Sequence, residues 1–463
     1  MDFRHDPFHG HFEEPPLFRM KFPIQNSLSP RGVLRAFACV LLVFSAGCAA
    51  PSIVEKTDTA SHSETTASPV QISGPVTLPM ASAYSLQFHP EMAAFPLQKR
   101  VSDARILAAG LPNNPALAIE AEDFGGSREF KGGDSAIFTA SIIQLVELGG
   151  KRGARRDAAT AAAAVVDAEY AIRRREVLGK TAQRFVEALA ARAGQDLAVQ
   201  ELALARESEA SVKGQLEAGR ATEPEVRQAR LAVAAAELEV RRSERSAAAA
   251  ARALGSLWAG AAPGNIVVGG KLPDPPARMP SVGAASAALA SHPANQAAAA
   301  REAEAAAMLK LARAGRVSDI ELSGGLRQDN SSDSQGIVVG ATIPLPLFNQ
   351  QTGPIREAET VLDKTRLEGK VSRAMVRSEF DQAWSELANA HDTAVTTSSE
   401  LLPGAREIFE STRESYDLGR ASFLELLAAR RELASANRAW LTAKKDYHLA
   451  ASRIEALTGR PAF

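Results

Sequence analysis

The chain has 463 residues, a formal net charge of −1, 5% aromatic residues and 23% charged residues interspersed with abundant alanine. A near-neutral balance gives no electrostatic reason to expect nucleic acid or acidic membranes as partners, and the low aromatic content is unlike that of a compact enzyme. Alanine costs no side-chain entropy in a helix and lets helices approach closely, so the composition points to long packed helices.

In chain order the first signal is a leader. Ala36 to Ala46 is an apolar run preceded by Arg31 and Arg35. It has the length of a signal-peptide core and is too short to span a bilayer, so export is expected. Ser45-Ala46-Gly47-Cys48 then resembles a lipoprotein cleavage box, with Ser45 where leucine is usual, and Ala49 fits outer-membrane sorting. Lipidation of Cys48 is expected and would add to anchoring by burying methylenes. Cys39 and Cys48 are the two cysteines, so the body carries no disulfide frame or thiolate metal site. His5, His9 and His11 read as a tail ahead of the leader, where Met20 is an alternative start. Residues 1–48 are thus extension and leader, and the Ser-, Thr- and Pro-rich stretch 49–82 is a tether.

Beyond the tether the sequence repeats itself. Gln215-Leu-Glu-Ala-Gly219-Arg220-Ala-Thr222-Glu-Pro-Glu225-Val226 aligns with Ser415-Tyr416-Asp-Leu-Gly419-Arg420-Ala-Ser422-Phe-Leu-Glu425-Leu426 at a shift of 200. Ile137, Ile143 and Gly153 fall on Ile337, Ile343 and Gly353 at the same shift, and His89-Pro90 meets His292-Pro293 at 203. Two units result, 83–261 and 283–463, joined by a Pro- and Gly-rich linker at 262–282.

Each unit opens with a short helical stretch, about 90–110 and 294–314, and passes into alternating segments. Leu117, Ile119 and Ala121 alternate with Glu120 and Glu122, and Ile320, Leu322 and Leu326 with Asp319, Glu321 and Arg327. Partner strands are predicted at 136–146 and 336–343, after loops at 125–134 and 328–335. These make four strands of about nine to eleven residues, the length that crosses a bilayer when tilted. After Gly153 and Pro354 come about 60 residues of helix-forming composition, ending at Gly219 and Gly419. A continuous helix of that length would extend roughly 90–100 Å. The returning helices carry heptads: Leu426, Leu433, Trp440, Tyr447 and Ile454, matched by Val226, Val233, Val240, Ala247 and Leu254, which predict coiled-coil packing. Pro403-Gly404 is expected to interrupt the second outgoing helix.

Four strands cannot close a barrel, and an open edge in lipid leaves backbone groups unpaired, so other copies must supply the closure. Asn114-Pro115, Glu122-Asp123-Phe124-Gly125-Gly126, Glu147-Leu148-Gly149-Gly150-Lys151, Ile343-Pro344-Leu345-Pro346-Leu347-Phe348 and Tyr416-Asp-Leu-Gly419 together resemble the cobalt-zinc-cadmium efflux branch of the TolC-like outer-membrane factors, over residues 85–460. The resemblance implies a mainly α fold with a transmembrane β-barrel contribution, a homotrimeric tube in the outer membrane, a periplasmic adaptor and an inner-membrane RND-type pump as partners, and no cofactor. It places Glu425 at the periplasmic constriction and Tyr416 in the gating network. The family's second acid, one turn after Glu425, is Ala428 here.

No catalytic constellation is legible: the body holds four histidines, no cysteine, no phosphate loop and no nucleophile elbow. His89 and His292 read as turn or cap residues, and Gly149-Gly150 as a bend between strand and helix. Thr222/Glu225 and Ser422/Glu425 read as capping boxes, with Glu425 either a cap alone or a cap and gate acid. In a ring of three, mutual repulsion would raise the Glu425 pKa values. Gly219 and Gly419 let the chain reverse, Arg220 and Arg420 flank them, and Leu418 and Leu424 are the candidate adaptor contacts. Glu120, Glu122 and Glu321 are candidate lumen-facing charges. A drug or protein duct and a structural coiled-coil lipoprotein are the rival readings.

Overall fold

The computed structural model describes residues 74–258 and 266–459. The leader, Cys48, most of the tether and the start of the linker lie outside the described residues. The chain runs α1 (Leu78–Phe88), α2 (Pro90–Gly110), β1 (Ala116–Glu122), β2 (Ile137–Val146), α3 (Lys151–Glu217), α4 (Glu223–Gly255), α5 (Val282–Ala287), α6 (Pro293–Ala314), β3 (Ile320–Asp329), β4 (Ser334–Thr342), α7 (Thr352–Thr396), α8 (Leu402–Asp417) and α9 (Phe423–Thr458). Helix α1 begins inside the stretch read as tether.

The four strands form one antiparallel sheet in the order β1-β2-β3-β4. The middle pairing sets Ala140 opposite Leu326 and Ile142 opposite Gly324, so the two units meet inside one sheet. Strand alternation gathers Leu117, Ile119, Phe138, Ile142, Leu322, Leu326, Ile337 and Val339 on one face. That face is bare in the single chain, with Ile337 and Val339 each 81% exposed. Gly325 is required by close approach: a Cβ there would lie 2.4 Å from the Ala140 carbonyl oxygen. The strands differ in extent from expectation. β1 has seven residues, and β3 and β4 continue through the expected 328–335 loop to leave a turn at 330–333. Polar Gln328, Asp329, Ser334 and Gln335 pair across the hairpin end, which the alternation of apolar residues did not mark.

Both long helices start after a residue in the left-handed region, Gly150 at φ 71° and Gln351 at φ 59°. The joint between sheet and helix is braced by charge. Lys151 Nζ lies 2.8 Å from Asp319 Oδ1, the Leu148 N–H donates to the same carboxylate at 3.0 Å, and Arg155 binds Glu147 through both guanidinium nitrogens. Gly149 is fixed by space as well as by its φ of 68°, since a Cβ would meet Val317 at 2.7 Å.

Helix α3 is 67 residues long, roughly 100 Å at 1.5 Å per residue. The second outgoing helix matches it, α7 and α8 being joined by a π turn at Thr397–Leu401. The interruption expected at Pro403-Gly404 takes the form of this π turn: the chain stays helical, and Pro403 falls in the first turn of α8, where its missing N–H costs little. Along the half near the sheet, α2 and α6 both pack on α3, and α6 also packs on α7. Along the other half, α4 and α9 take those places, with α9 also against α8. The packing order is α2-α3-α6-α7 above and α4-α3-α9-α8 below.

This order explains the burial of the heptads. In α9, which has helices on both sides, Leu426, Leu433, Tyr447 and Ile454 are buried and Trp440 is half-buried. In α4, which packs chiefly on α3, Val226 and Leu254 are buried while Val233, Val240 and Ala247 are half-buried. Surface ion pairs link the upper helices, including Arg301–Glu169 at 2.7 Å, Lys310–Asp157 at 2.6 Å and Arg366–Glu302 at 3.0 Å. Exposed pairs of this kind contribute at most about 1 kcal/mol each.

A strap formed by residues 266–281 crosses the helices at mid-length. The Val76 N–H donates to the Val267 carbonyl and the Gly269 N–H to Val76, at 2.8 Å each. His448 Nε2–H donates to the Pro273 carbonyl at 2.9 Å and His391 Nε2–H to that of Pro276 at 2.8 Å; carbonyls only accept, which places a proton on both Nε2 atoms. No described helix is long and apolar enough to cross a membrane.

Asp319→Ala strands the Lys151 ammonium, whose side chain is only 16% exposed. Denaturant unfolding in detergent is expected to show a loss of about 1–3 kcal/mol, against less than about 1 kcal/mol for Glu302→Ala on the exposed face.

Candidate functional site

Two hairpin tips lie at the ends of the long helices, and the same local chemistry builds both. At the first, Gly219 with φ 68° closes α3: its N–H donates to the Leu216 carbonyl at 2.9 Å and the Arg220 N–H to Gln215 at 2.7 Å. At the second, Gly419 with φ 73° does the same toward Tyr416 at 2.9 Å, and Arg420 toward Ser415 at 2.8 Å. This bonding pattern satisfies the last helical carbonyls and reverses the chain. Glycine is needed for the left-handed backbone alone, since nothing crowds either Cβ position. Arg220, Arg420, Leu418 and Leu424 are exposed around the turns.

The returning helices then start on reciprocal caps. The Thr222 N–H and hydroxyl donate to Glu225 Oε2 at 2.6 and 2.9 Å. The Ser422 N–H and hydroxyl donate to Glu425 Oε2 at 2.7 and 2.8 Å, and the Glu425 N–H donates back to Ser422 Oγ at 3.3 Å. The backbone and hydroxyl donors of Ser422 hold the Glu425 carboxyl below its ordinary value. Within one chain this opposes the rise expected from a ring of like charges.

Beneath the tips one apolar cluster joins both hairpins, with Val226 and Ala229 of α4 beside Phe423, Leu426 and Leu427 of α9 and Phe409 of α8. The tips are therefore level with each other. Tyr416 is buried in this cluster, its ring 6.1 Å from that of Phe423, and its hydroxyl is also buried without a hydrogen-bond partner among the described residues. Burial, aided by the Glu225 carboxylate, pushes the phenol pKa up. A shallow cleft of about 490 Å³ separates Pro224, Gln228 and Leu231 of α4 from Ser422 and Leu424 of α9.

Higher in the helices an inter-unit charge group went unread in the sequence. Glu201 of α3 lies 3.3 Å from the Arg438 Nε of α9, within ion-pair distance but without hydrogen-bond geometry. Burial pushes the Glu201 carboxyl up, the Arg438 charge opposing it, and burial lowers the pKa of the nearby Arg430 guanidinium. The available signal was Arg430 itself, four residues after Leu426 and three before Leu433 on the apolar stripe. His89 and His292 cap α2 and α6, each Nδ1 accepting a backbone N–H, from Glu91 at 3.3 Å and Ala294 at 3.1 Å.

At the sheet end, Glu120, Glu122 and Glu321 share the face opposite the apolar one, with Thr139, Ser323 and Arg327. Glu120 and Arg327 both register on Thr139, while Glu321 lies at the helix-proximal end. The described residues contain no group of three or more His, Cys, Asp or Glu placed to hold a metal ion.

A sheet with one predominantly apolar face and an opposite face that carries the glutamates, set on helical hairpins of about 100 Å, defines an envelope-spanning duct component of the TolC-like kind. The chain belongs to the outer membrane efflux protein family, whose model matches residues 83–260 and 284–460. It is 26% identical over 392 residues to the cobalt-zinc-cadmium resistance protein CzcC of Cupriavidus metallidurans, covering 85% of this chain and 92% of that protein. It is 33% identical over 306 residues to the nickel and cobalt resistance protein CnrC of the same organism, covering 65% of this chain and 72% of that one. Among solved structures, the outer membrane protein VceC of Vibrio cholerae aligns at a TM-score of 0.67 with 19% identity, covering 83% of this chain and 97% of that one. The outer-membrane channel OprN aligns at 0.67 with 20% identity, covering 82% and 89%.

The depressed Glu425 pKa has a defined pH consequence. Its stabilising effect is fully present above the unfolded carboxylate value and is lost as pH falls through the folded one. Glu425→Gln is expected to lower the unfolding midpoint of the detergent-solubilised protein at neutral pH. It should also flatten the decline below about pH 4, near the unperturbed glutamate value, as read from midpoints across a pH series.

Proposed function

We propose that three copies of this chain close around a water-filled bore and conduct cargo passively from the periplasm across the outer membrane. The observation that carries this reading is the pair of unpaired sheet edges, β1 and β4, beside a predominantly apolar sheet face. In lipid each unsatisfied backbone group costs several kcal/mol, and closure with further strands is the remedy. Three copies supply twelve strands and a continuing wall of helices, with Glu120, Glu122 and Glu321 facing the water-filled side.

In this reading conduction is passive, energy comes from an inner-membrane RND-type pump with its periplasmic adaptor, and the adaptor meets the tips at Leu418, Leu424, Arg220 and Arg420. Divalent heavy-metal cations are the proposed cargo. The reading is supported by likeness to CzcC over nearly its whole length and by likeness to CnrC. Lipid on Cys48 would add a second hold on the membrane.

Deleting the gene is expected to sensitise the cell to at least one of zinc, cobalt, cadmium, copper and nickel, with rescue by the intact gene. Unchanged tolerance of all five sinks the metal assignment. Gly419→Trp is expected to leave heat-modifiable trimers intact while abolishing rescue, because the bulky side chain obstructs the tip where the adaptor docks; full rescue by that variant excludes tip docking.

A further inference from the structure

The two joints between sheet and outgoing helix are built differently. The first, 147–150, is four residues long and is pinned within the chain, Glu147 by Arg155 and the Leu148 N–H by Asp319. The second, 343–351, is nine residues long. Within it the Leu347 N–H donates to the Leu345 carbonyl at 2.8 Å and the Gln351 N–H to Asn349 Oδ1 at 3.1 Å. This joint opens with an unbroken apolar run, Ile343-Pro344-Leu345-Pro346-Leu347-Phe348, in which every residue is exposed. Leu345 and Leu347 are 72% and 70% exposed and Phe348 100%. A contiguous apolar patch of this kind marks a contact surface.

Its level follows from the register. One step past the pair of Glu321 with Thr342, Ile343 stands opposite Ile320, which pairs with Val146 on the last rung of β2 and β3. Leu345, Leu347 and Phe348 therefore follow below that rung, between sheet and helices. Within β4 the apolar face runs from Ile337 to Ala341. At the usual strand tilt that is about 10 Å of height, against the roughly 25 Å apolar band of outer-membrane barrels. The same alternation continues through Ile343, Leu345 and Leu347, and no charged residue occurs from Ser334 to Ile355.

The chemistry of the run selects its occupant. Pro344 and Pro346 carry no N–H, so the run cannot prolong the β4 ladder onto another chain's strand. The same loss removes two donors that hydrocarbon would leave unpaired, and the Leu347 N–H is already satisfied. The first joint, which packs against protein, uses ion pairs; this one has no charge to pair. We propose that 343–348 is a lipid foot: Leu345, Leu347 and Phe348 seat among phospholipid acyl chains, just under the headgroups of the periplasmic leaflet, and fix the depth of each copy in the outer membrane. The inference rests on the membrane duct proposed above and goes further by naming a lipid contact outside the strands.

The test is site-directed spin labelling of the full-length protein in phosphatidylethanolamine–phosphatidylglycerol vesicles, with the unsubstituted protein as the blank for native cysteines. Phe348→Cys and Leu347→Cys are read beside Ile337→Cys on the sheet face and Ser398→Cys on the exposed side of the π turn. Each label is scored by collision with oxygen, which concentrates in lipid, and with a water-soluble nickel chelate. The expected oxygen-to-nickel ratio at positions 347 and 348 matches that at Ile337 and exceeds that at Ser398 at least about tenfold, the contrast between hydrocarbon and water. At either position, a ratio like that of Ser398, or weak collision with both probes as under a neighbouring copy, overturns the foot while a lipid-like Ile337 keeps the sheet in the membrane. A water-like Ile337 overturns the proposed function, and the foot with it.

Discussion

A backbone N–H or C=O facing hydrocarbon must find a partner, and this requirement governs the molecule more than any single contact. Between β1 and β4 the ladders are complete; at the outer margins they stop. The helical region repeats the condition in weaker form. Helix α9 is flanked on both sides and buries most of its heptad, while α4 packs chiefly on α3 and leaves three of its five stripe positions half-buried. Sheet and helices thus both leave apolar surface bare, which is where the proposed trimer would close.

Much of this was readable from residues. The 200-residue shift placed both tips, because a left-handed turn followed by a reciprocal cap demands Gly219 with Thr222 and Glu225, and Gly419 with Ser422 and Glu425. The heptad from Leu426 to Ile454 marked the helix with neighbours on two sides. Strand ends were less legible: Gln328 to Gln335 read as a loop by polarity, yet those polar residues pair in a hairpin whose end lies beyond the apolar band. The strap was hidden for another reason. Part of its hold on the helices comes from backbone carbonyls of Pro273 and Pro276 meeting His448 and His391, more than a hundred residues away. Carbonyls leave no trace in a side-chain pattern. Arg430 was visible as a charge within an apolar stripe, but its neighbour Glu201 lies in the other unit.

The tips combine two demands on the same carboxylates. Glu225 and Glu425 secure the first turn of their helices, and that duty ties each to its own backbone. A carboxylate held by two donors from Ser422 stays ionised at lower pH than a free one, so any electrostatic role it has at the end of the tube persists in acid. Tyr416, buried one turn before the reversal, adds a hydroxyl that one chain leaves unsatisfied. The capping role is the one these contacts carry, so a substitution at either acid alters the helix start first.

The π turn at Thr397–Leu401 breaks the likeness of the two units at one point. A π turn accommodates about one residue more than an α turn, which rotates everything beyond it by about 100° relative to an uninterrupted helix. The first outgoing helix has no such turn. Without it, six hairpins drawn from near-duplicate sequences would approach sixfold equivalence, and every hairpin would lean alike. With it, alternate hairpins present different faces at the same height. In the proposed trimer the far end of the tube would then have threefold rather than sixfold character.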